Sequence, residues 1–173
     1  MNAIAANTTG TVVVGDDGVI LRGSFDGTSW QRVTIEETAH FYGVCADPNG
    51  LFLAVGVNGT LWTGNASGLV WTRIPETPTL ETLHACASVG LTTLVVGEKG
   101  TILYSGGGFR NWAPTTVPTD EDVLSVNFTG GDVIAVGTAR KCLWSAIGLE
   151  WNQAIVPIAR STWGRIKSLQ LSR

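Results

Sequence analysis

The chain has 173 residues, of which 44% are apolar, 14% are charged and 22 are glycine, with a formal net charge of −3. An average soluble domain carries about 25% charged residues. This composition excludes a disordered chain, a coiled coil and a highly charged nucleic-acid arm, and the length points to one domain.

Internal repetition organises the chain. Four apolar runs appear in order: VVVG ending at Gly15, LAVG at Gly56, LVVG at Gly97 and IAVG at Gly137, spaced by 41, 41 and 40 residues. A second series, Trp30, Trp71, Trp112 and Trp151, has spacings of 41, 41 and 39, and Gly18, Gly59 and Gly100 keep the same register. Three series in one register establish a repeat. Within the second unit, strands are expected at about Phe41–Asp47, Leu51–Gly56, Thr60–Asn65 and Val70–Ile74. The second strand of each unit is a continuous apolar run, which predicts burial on both faces. Asp17-Gly18, Asn58-Gly59 and Lys99-Gly100 stand between the second and third strands. Asp-Gly and Asn-Gly are the pairs a tight hairpin with two positive φ angles favours. The fourth unit has Ala139-Arg140 there, so its hairpin is expected to be built differently.

Four short strands recurring every 40 or so residues predict an all-β fold, a small β-propeller of about four four-stranded blades with an extra C-terminal strand. The units are approximately 1–38, 39–79, 80–119 and 120–159 of a single domain, leaving 160–173 as a closing or donated strand. The segment from Trp163 to Leu171 resembles the first strand of a fifth unit. Closure of the ring within the chain is favoured over an open ring or a strand shared with another subunit. The recurrent Trp residues are expected to plug the space between blades.

The segment Ser24-Phe-Asp26-Gly27-Thr-Ser-Trp30 resembles the Asp-box, the bacterial neuraminidase repeat. Its surroundings, GDDGVILRGSFDGTSW, resemble units of photosystem II assembly-factor type propellers and of phage tail proteins. The resemblance covers nearly the whole chain, about four units, but only the first keeps the box intact. It implies that Asp26 and Ser24 bond turn amides while Trp30 packs, and it implies a scaffold rather than an activity.

No catalytic, cofactor-binding or metal-binding set emerges. A sialidase-like site needs several arginines and a Tyr–Glu pair in a six-bladed frame, whereas this chain has only Tyr42 and Tyr104. Cys45, Cys86 and Cys142 form no CxxC pair, so structural disulfides are not expected and a reducing cytoplasm is the expected site of synthesis. Cys45 and Cys86, 41 apart, are read as small buried residues at the same position of adjacent blades. His40 and His84 are assigned to axis-facing or loop positions, and Asp120-Glu121-Asp122 to a solvated loop. Asn7, Asn58, Asn65 and Asn127 are read as turn and strand residues rather than glycan acceptors, in the absence of a recognisable signal peptide. No stretch is apolar enough to span a membrane. Trp62 and Trp144, in third strands, are expected to be buried.

Residues 1–156 hold 7 basic and 14 acidic side chains, whereas 157–173 carry Arg160, Arg165, Lys167 and Arg173 without an acid. Trp163, Arg165 and Lys167 are therefore candidate interface residues for other subunits of an assembly or copies of the same chain. The favoured function is non-enzymatic: a structural or docking subunit, most concretely a virion component. The alternatives are a glycan-binding propeller and an assembly factor for a membrane complex. Neither cofactor nor nucleic-acid binding is expected.

Overall fold

The computed structural model of the protein describes residues 1–154, so the 160–173 strand and the candidate interface residues Trp163, Arg165 and Lys167 lie outside the described residues. The first unit forms β1 (Ala3–Asn7), β2 (Gly10–Val14), β3 (Ile20–Gly23) and β4 (Trp30–Val33). The second forms β5 (Phe41–Ala46), β6 (Phe52–Gly56), β7 (Leu61–Gly64) and β8 (Trp71–Arg73). The third forms β9 (Leu83–Val89), β10 (Thr92–Gly97), β11 (Ile102–Ser105) and β12 (Ala113–Pro114). The fourth forms β13 (Val123–Thr129), β14 (Asp132–Gly137), β15 (Cys142–Ser145) and β16 (Asn152–Ala154). Each unit is one antiparallel sheet in simple up-and-down order, and the innermost strands pack in series, β1 on β5, β5 on β9 and β9 on β13. This is the blade arrangement of a β-propeller.

The repeat glycines end the second strands because a neighbouring backbone passes over them. A Cβ would sit 1.9 Å from the His40 carbonyl oxygen at Gly56, 2.1 Å from that of Thr82 at Gly97, and 2.1 Å from that of Asp122 at Gly137. Each carbonyl belongs to the segment entering the first strand of the same blade, so only glycine lets that segment close on the sheet.

The hairpin between second and third strands has one form in all four blades. Asp17, Asn58, Lys99 and Ala139 have φ of 55°, 52°, 50° and 48°, and the next residues, Gly18, Gly59, Gly100 and Arg140, have φ of 68°, 66°, 68° and 61°. The expectation of a different fourth hairpin is thus corrected: closure of the sheet imposes the turn on Ala139-Arg140 against their preference. What changes is the space outside the turn. In the second and third blades the linker to the next blade crosses this hairpin, bringing the Thr79 and Thr119 carbonyl oxygens to 2.1 Å from where a Cβ on Gly59 or Gly100 would lie. Gly18 has Glu37 O at 3.2 Å in the same role. The fourth blade carries an exposed Arg140 at this place.

Each inner blade has a leading face, toward the next blade in sequence, and a trailing face toward the preceding one. Blade one presents Val12, Val14, Ile20 and Val33 to Phe41, Val44, Phe52 and Trp62 of blade two. Blade two presents Leu53, Val55 and Leu61 to Leu83, Val95 and Leu103. Blade three presents Leu94, Val96 and Ile102 to Val123, Val126, Val133 and Leu143. Strand β6 is buried throughout, as its continuous apolar run predicts. Strand β14 is not: Ile134 and Val136 are 40% and 44% exposed, because among the described residues no blade lies against the leading face of blade four. Among these residues β13 and β1 do not pack on one another as the other first strands do, so the four blades form an open arc rather than the favoured closed ring.

Candidate functional site

Three of the four repeat Trp residues make the same bond: the indole N–H of Trp30, Trp71 and Trp151 donates to the carbonyl of Gly27, Gly68 and Gly148, at 3.1, 2.9 and 3.2 Å. Trp30 and Trp71 lie over glycines opposite them, and a Cβ on Gly23 or Gly64 would meet their rings at 2.7 or 2.8 Å. These two glycines were not singled out from sequence, although both stand seven residues before their Trp. In the third blade Ser105 occupies this place and Phe109 stands where Gly27 and Gly68 do. The Phe109 ring is buried between blades, and the Trp112 indole N–H is buried without a hydrogen-bond partner.

In the first outer hairpin, Asp26 accepts from the Ser24 hydroxyl and from the amide and hydroxyl of Thr28 at 3.1 and 2.9 Å, while Ser29 N–H donates to Ser24 Oγ at 3.1 Å. The other blades staple this turn with different groups. Asn65 Oδ1 takes the Ser67 hydroxyl and the Leu69 amide, Ser105 bridges to Arg110, and Ser145 takes the Gly148 amide. Hydrogen bonds from Ser24, then from Thr28, hold the exposed Asp26 carboxyl down at about 2, below its ordinary value of 3.8. Because the folded value is depressed, this staple contributes fully above about pH 4 and is lost as pH falls through about 2. A pH titration of the Thr28 amide by NMR is expected to show a midpoint near 2; one near 4 would mean that the staple does not form in solution.

The remaining polar candidates make contacts within the sheets and turns. Asn7 donates to the Gly50 and Ala66 carbonyls, Asn58 occupies a hairpin position, and Asn127 Oδ1 accepts from Phe128 N–H. His40 Nδ1 lies 3.7 Å from Asp16, and His84 packs against Tyr42 with ring centroids 6.0 Å apart. Asp122 accepts the Lys99 amide and Glu121 the Thr138 hydroxyl, so this acidic run is tied to hairpins rather than merely solvated.

Cys45 and Cys86 form a disulfide with Cα atoms 5.8 Å apart, which corrects the expectation of unpaired thiols. A spacing of 41 equals the repeat and would place both on the same face of their blades. The strand registers show otherwise. Cys45 pairs with Leu53, whereas Cys86 pairs with Val95, the equivalent of Ala54. Cys86 is thus one register position out of step, equivalent to Val44, and one residue in a strand reverses the face. Cys45 lies on the leading face of blade two and Cys86 on the trailing face of blade three. The bond argues against a permanently reducing compartment. Cys142 is free, and among the described residues no helix is long and apolar enough to cross a membrane.

Apolar side chains also gather at both ends of the arc. On the leading face of blade four, Ile134, Val136, Cys142 and Trp144 continue the positions of Leu94, Val96, Ile102 and Tyr104 in blade three. Trp144 is 45% exposed, against the expectation of burial. The burial expected of Trp62 holds, at 5% exposure, because it lies on the trailing face of blade two, opposite Ala54, and blade one covers that face. On the trailing face of blade one, Ile4, Val13, Leu21 and Trp30 stand where blade two has Val44, Ala54, Trp62 and Trp71; Ile4 is 64% exposed.

No family model matches the chain, and no curated protein matches it. Solved structures do. A structure described as YCF48 bound to D1 peptide superposes with a TM-score of 0.69 at 15% identity, covering 88% of this chain and 53% of that one. YCF48 from Cyanidioschyzon merolae gives 0.70 at 18% identity, over 92% and 57%. The RRP9 WD40 repeats give 0.70 at 6% identity, over 84% and 45%. The chain therefore spans about half the length of these structures, and its four-bladed arc has the fold of part of a larger β-propeller.

Proposed function

We propose that the protein is a non-catalytic docking subunit of a larger protein assembly. The observation that carries this reading is the pair of blade faces that no blade covers among the described residues, with exposed Ile134, Val136 and Trp144 at one end and, at the other, exposed Ile4 and Trp30 beside half-buried Val13 and Leu21. Apolar faces of this kind mark contact surfaces in soluble proteins. A similar propeller, YCF48, is described in complex with a peptide named D1, which supports protein rather than small-molecule partners. Fold alone does not choose the assembly. The likeness of the first unit to phage tail propellers favours a virion component, and the likeness to assembly-factor propellers favours a transient role on a membrane complex.

The glycan reading has less to stand on. Two rim clefts, between blades one and two and between blades two and three, hold the indoles of Trp62 and Trp112, whose N–H groups lack partners. Their other walls differ: Glu36 and Glu37 line one, and Arg110 and Phe109 the other, so no sugar site is repeated.

Size fractionation of native extract from the source cells tests the proposal. The chain is expected in fractions far larger than its own mass, and Ile134→Asp is expected to release it. Elution as the free chain, or a complex indifferent to this substitution and to Leu21→Asp, would overturn the reading. A virion component would also remain in gradient-purified particles at a fixed ratio, whereas an assembly factor would be absent from the finished complex.

A further inference from the structure

The two uncovered faces are the two halves of one interface. The leading face of blade four continues the series Val12/Leu53/Leu94 and Val14/Val55/Val96 with Ile134 and Val136. Each earlier member of that series is covered by the trailing face of the following blade. The trailing face of blade one is the one such surface that nothing covers among the described residues. It belongs to the series in which Ile4, Val44 and Cys86 are equivalent, as are Leu21, Trp62 and Leu103.

The hairpin beside the leading face of blade four differs from those of the second and third blades: there a linker carbonyl lies 2.1 Å from a would-be Cβ on Gly59 and Gly100, whereas Arg140 stands at that place in the fourth.

We propose that two copies of this chain associate head to tail, the leading face of blade four of each covering the trailing face of blade one of the other. This rests on the reading of the chain as an assembly subunit and names one of its partners. The contact is heterologous, and a twofold pair of such contacts closes a ring of eight blades, within the usual range of about four to eight. Three copies would give a twelve-bladed ring, outside it.

The disulfide supplies a ruler for the contact. It joins the innermost strands of neighbouring blades, from the leading-face position of Cys45 to the trailing-face position of Cys86. The equivalent positions in the proposed contact are Asn127, opposite Ile134 in β13, and Ile4, opposite Val13 in β1. Both side chains are exposed, so their replacement leaves the blade cores intact.

The test uses the full 173-residue chain in two measurements. Light scattering is expected to give about 37 kDa, twice the 18.3 kDa of one chain. In a Cys142→Ser background, the double variant Ile4→Cys/Asn127→Cys is expected to form a covalent dimer on oxidation, resolved on a non-reducing gel, while neither single variant does. A stable monomer, a covalent ladder of larger species, or cross-linking by the single variants would each overturn the inference; the ladder would mean an open filament and the single-variant bond a face-to-face pair. A monomeric pure chain still found in a large native complex would defeat self-closure and leave the assembly reading intact. A homodimer that enters no larger complex would do the reverse.

Discussion

Trp62→Ala is expected to cost about 3–5 kcal/mol of unfolding free energy, whereas Trp144→Ala is expected to cost under about 1 kcal/mol in urea unfolding of the dilute monomer. Both residues sit in third strands, and their sequence surroundings, LW and LW again, are the same. The difference lies in the faces they occupy and what covers those faces: Trp62 is on the trailing face of its blade, and Trp144, one register position on, is on the leading face. Trp62 is buried between blades one and two, edge-on to Phe41 with ring centroids 6.5 Å apart, and joins Val12, Ile20 and Phe52 in one core. Truncation there removes a large apolar surface and leaves a cavity that two rigid sheets cannot collapse into. Trp144 has its ring on the outer face of blade four, where water already reaches it. Losses of similar size at the two positions would show that the end face is covered even in the isolated chain, and that the arc is closed in some other way. The same pair separates stability from association, because Trp144→Ala is expected to weaken the contact between copies that Trp62→Ala affects only through unfolding.

The repeat made the blades legible because three series of residues, apolar run, turn glycine and Trp, fall on fixed places of the sheet. The strand limits expected for the second unit differ from the observed ones by no more than one residue at either end. The Gly56, Gly97 and Gly137 series marks backbone crowding that only a missing Cβ permits, and so it persists when the hairpin residues drift. What the repeat hides is position along the arc. Ile134 and Val136 look like Leu94 and Val96 in sequence, yet one pair is exposed and the other buried, since burial here depends on the neighbouring blade and not on the strand. The closed ring was favoured because repeat counting treats all units as equivalent, and end effects escape it. A departure such as Arg140 in place of glycine was the available sign that the last described blade is different. The outer hairpins blurred for another reason. Several side chains can accept the same turn amides, so Asn65, Ser105 and Ser145 replace the Ser24–Asp26 pair without sharing its pattern.

The disulfide is the second position where a large effect is expected. Reduction, or Cys86→Ser, is expected to remove about 4 kcal/mol, the chain-entropy value for closing a loop of about 41 residues. The bond ties β5 to β9, the two first strands that meet at the centre of the arc, so its loss loosens the interface of Leu53, Val55 and Leu61 with Leu83, Val95 and Leu103. Urea unfolding with and without a phosphine reductant measures this directly, and alkylation with mass spectrometry counts the thiols that the reductant exposes. Two new thiols and a clearly lower midpoint are expected, with Cys142→Ser behaving as the parent in both assays. An unchanged midpoint with three thiols free from the start would mean that the pair is not oxidised and that the one-residue offset of Cys86 merely lets two small side chains pack. The offset gives the result its meaning. Had both cysteines kept the repeat register they would lie on like faces of successive blades, and no redox condition could join them without moving a strand. Shifting the register of one innermost strand by a single residue turns its thiol toward the neighbouring blade, and in a propeller held together by blade-to-blade packing this converts one of those contacts into a covalent one.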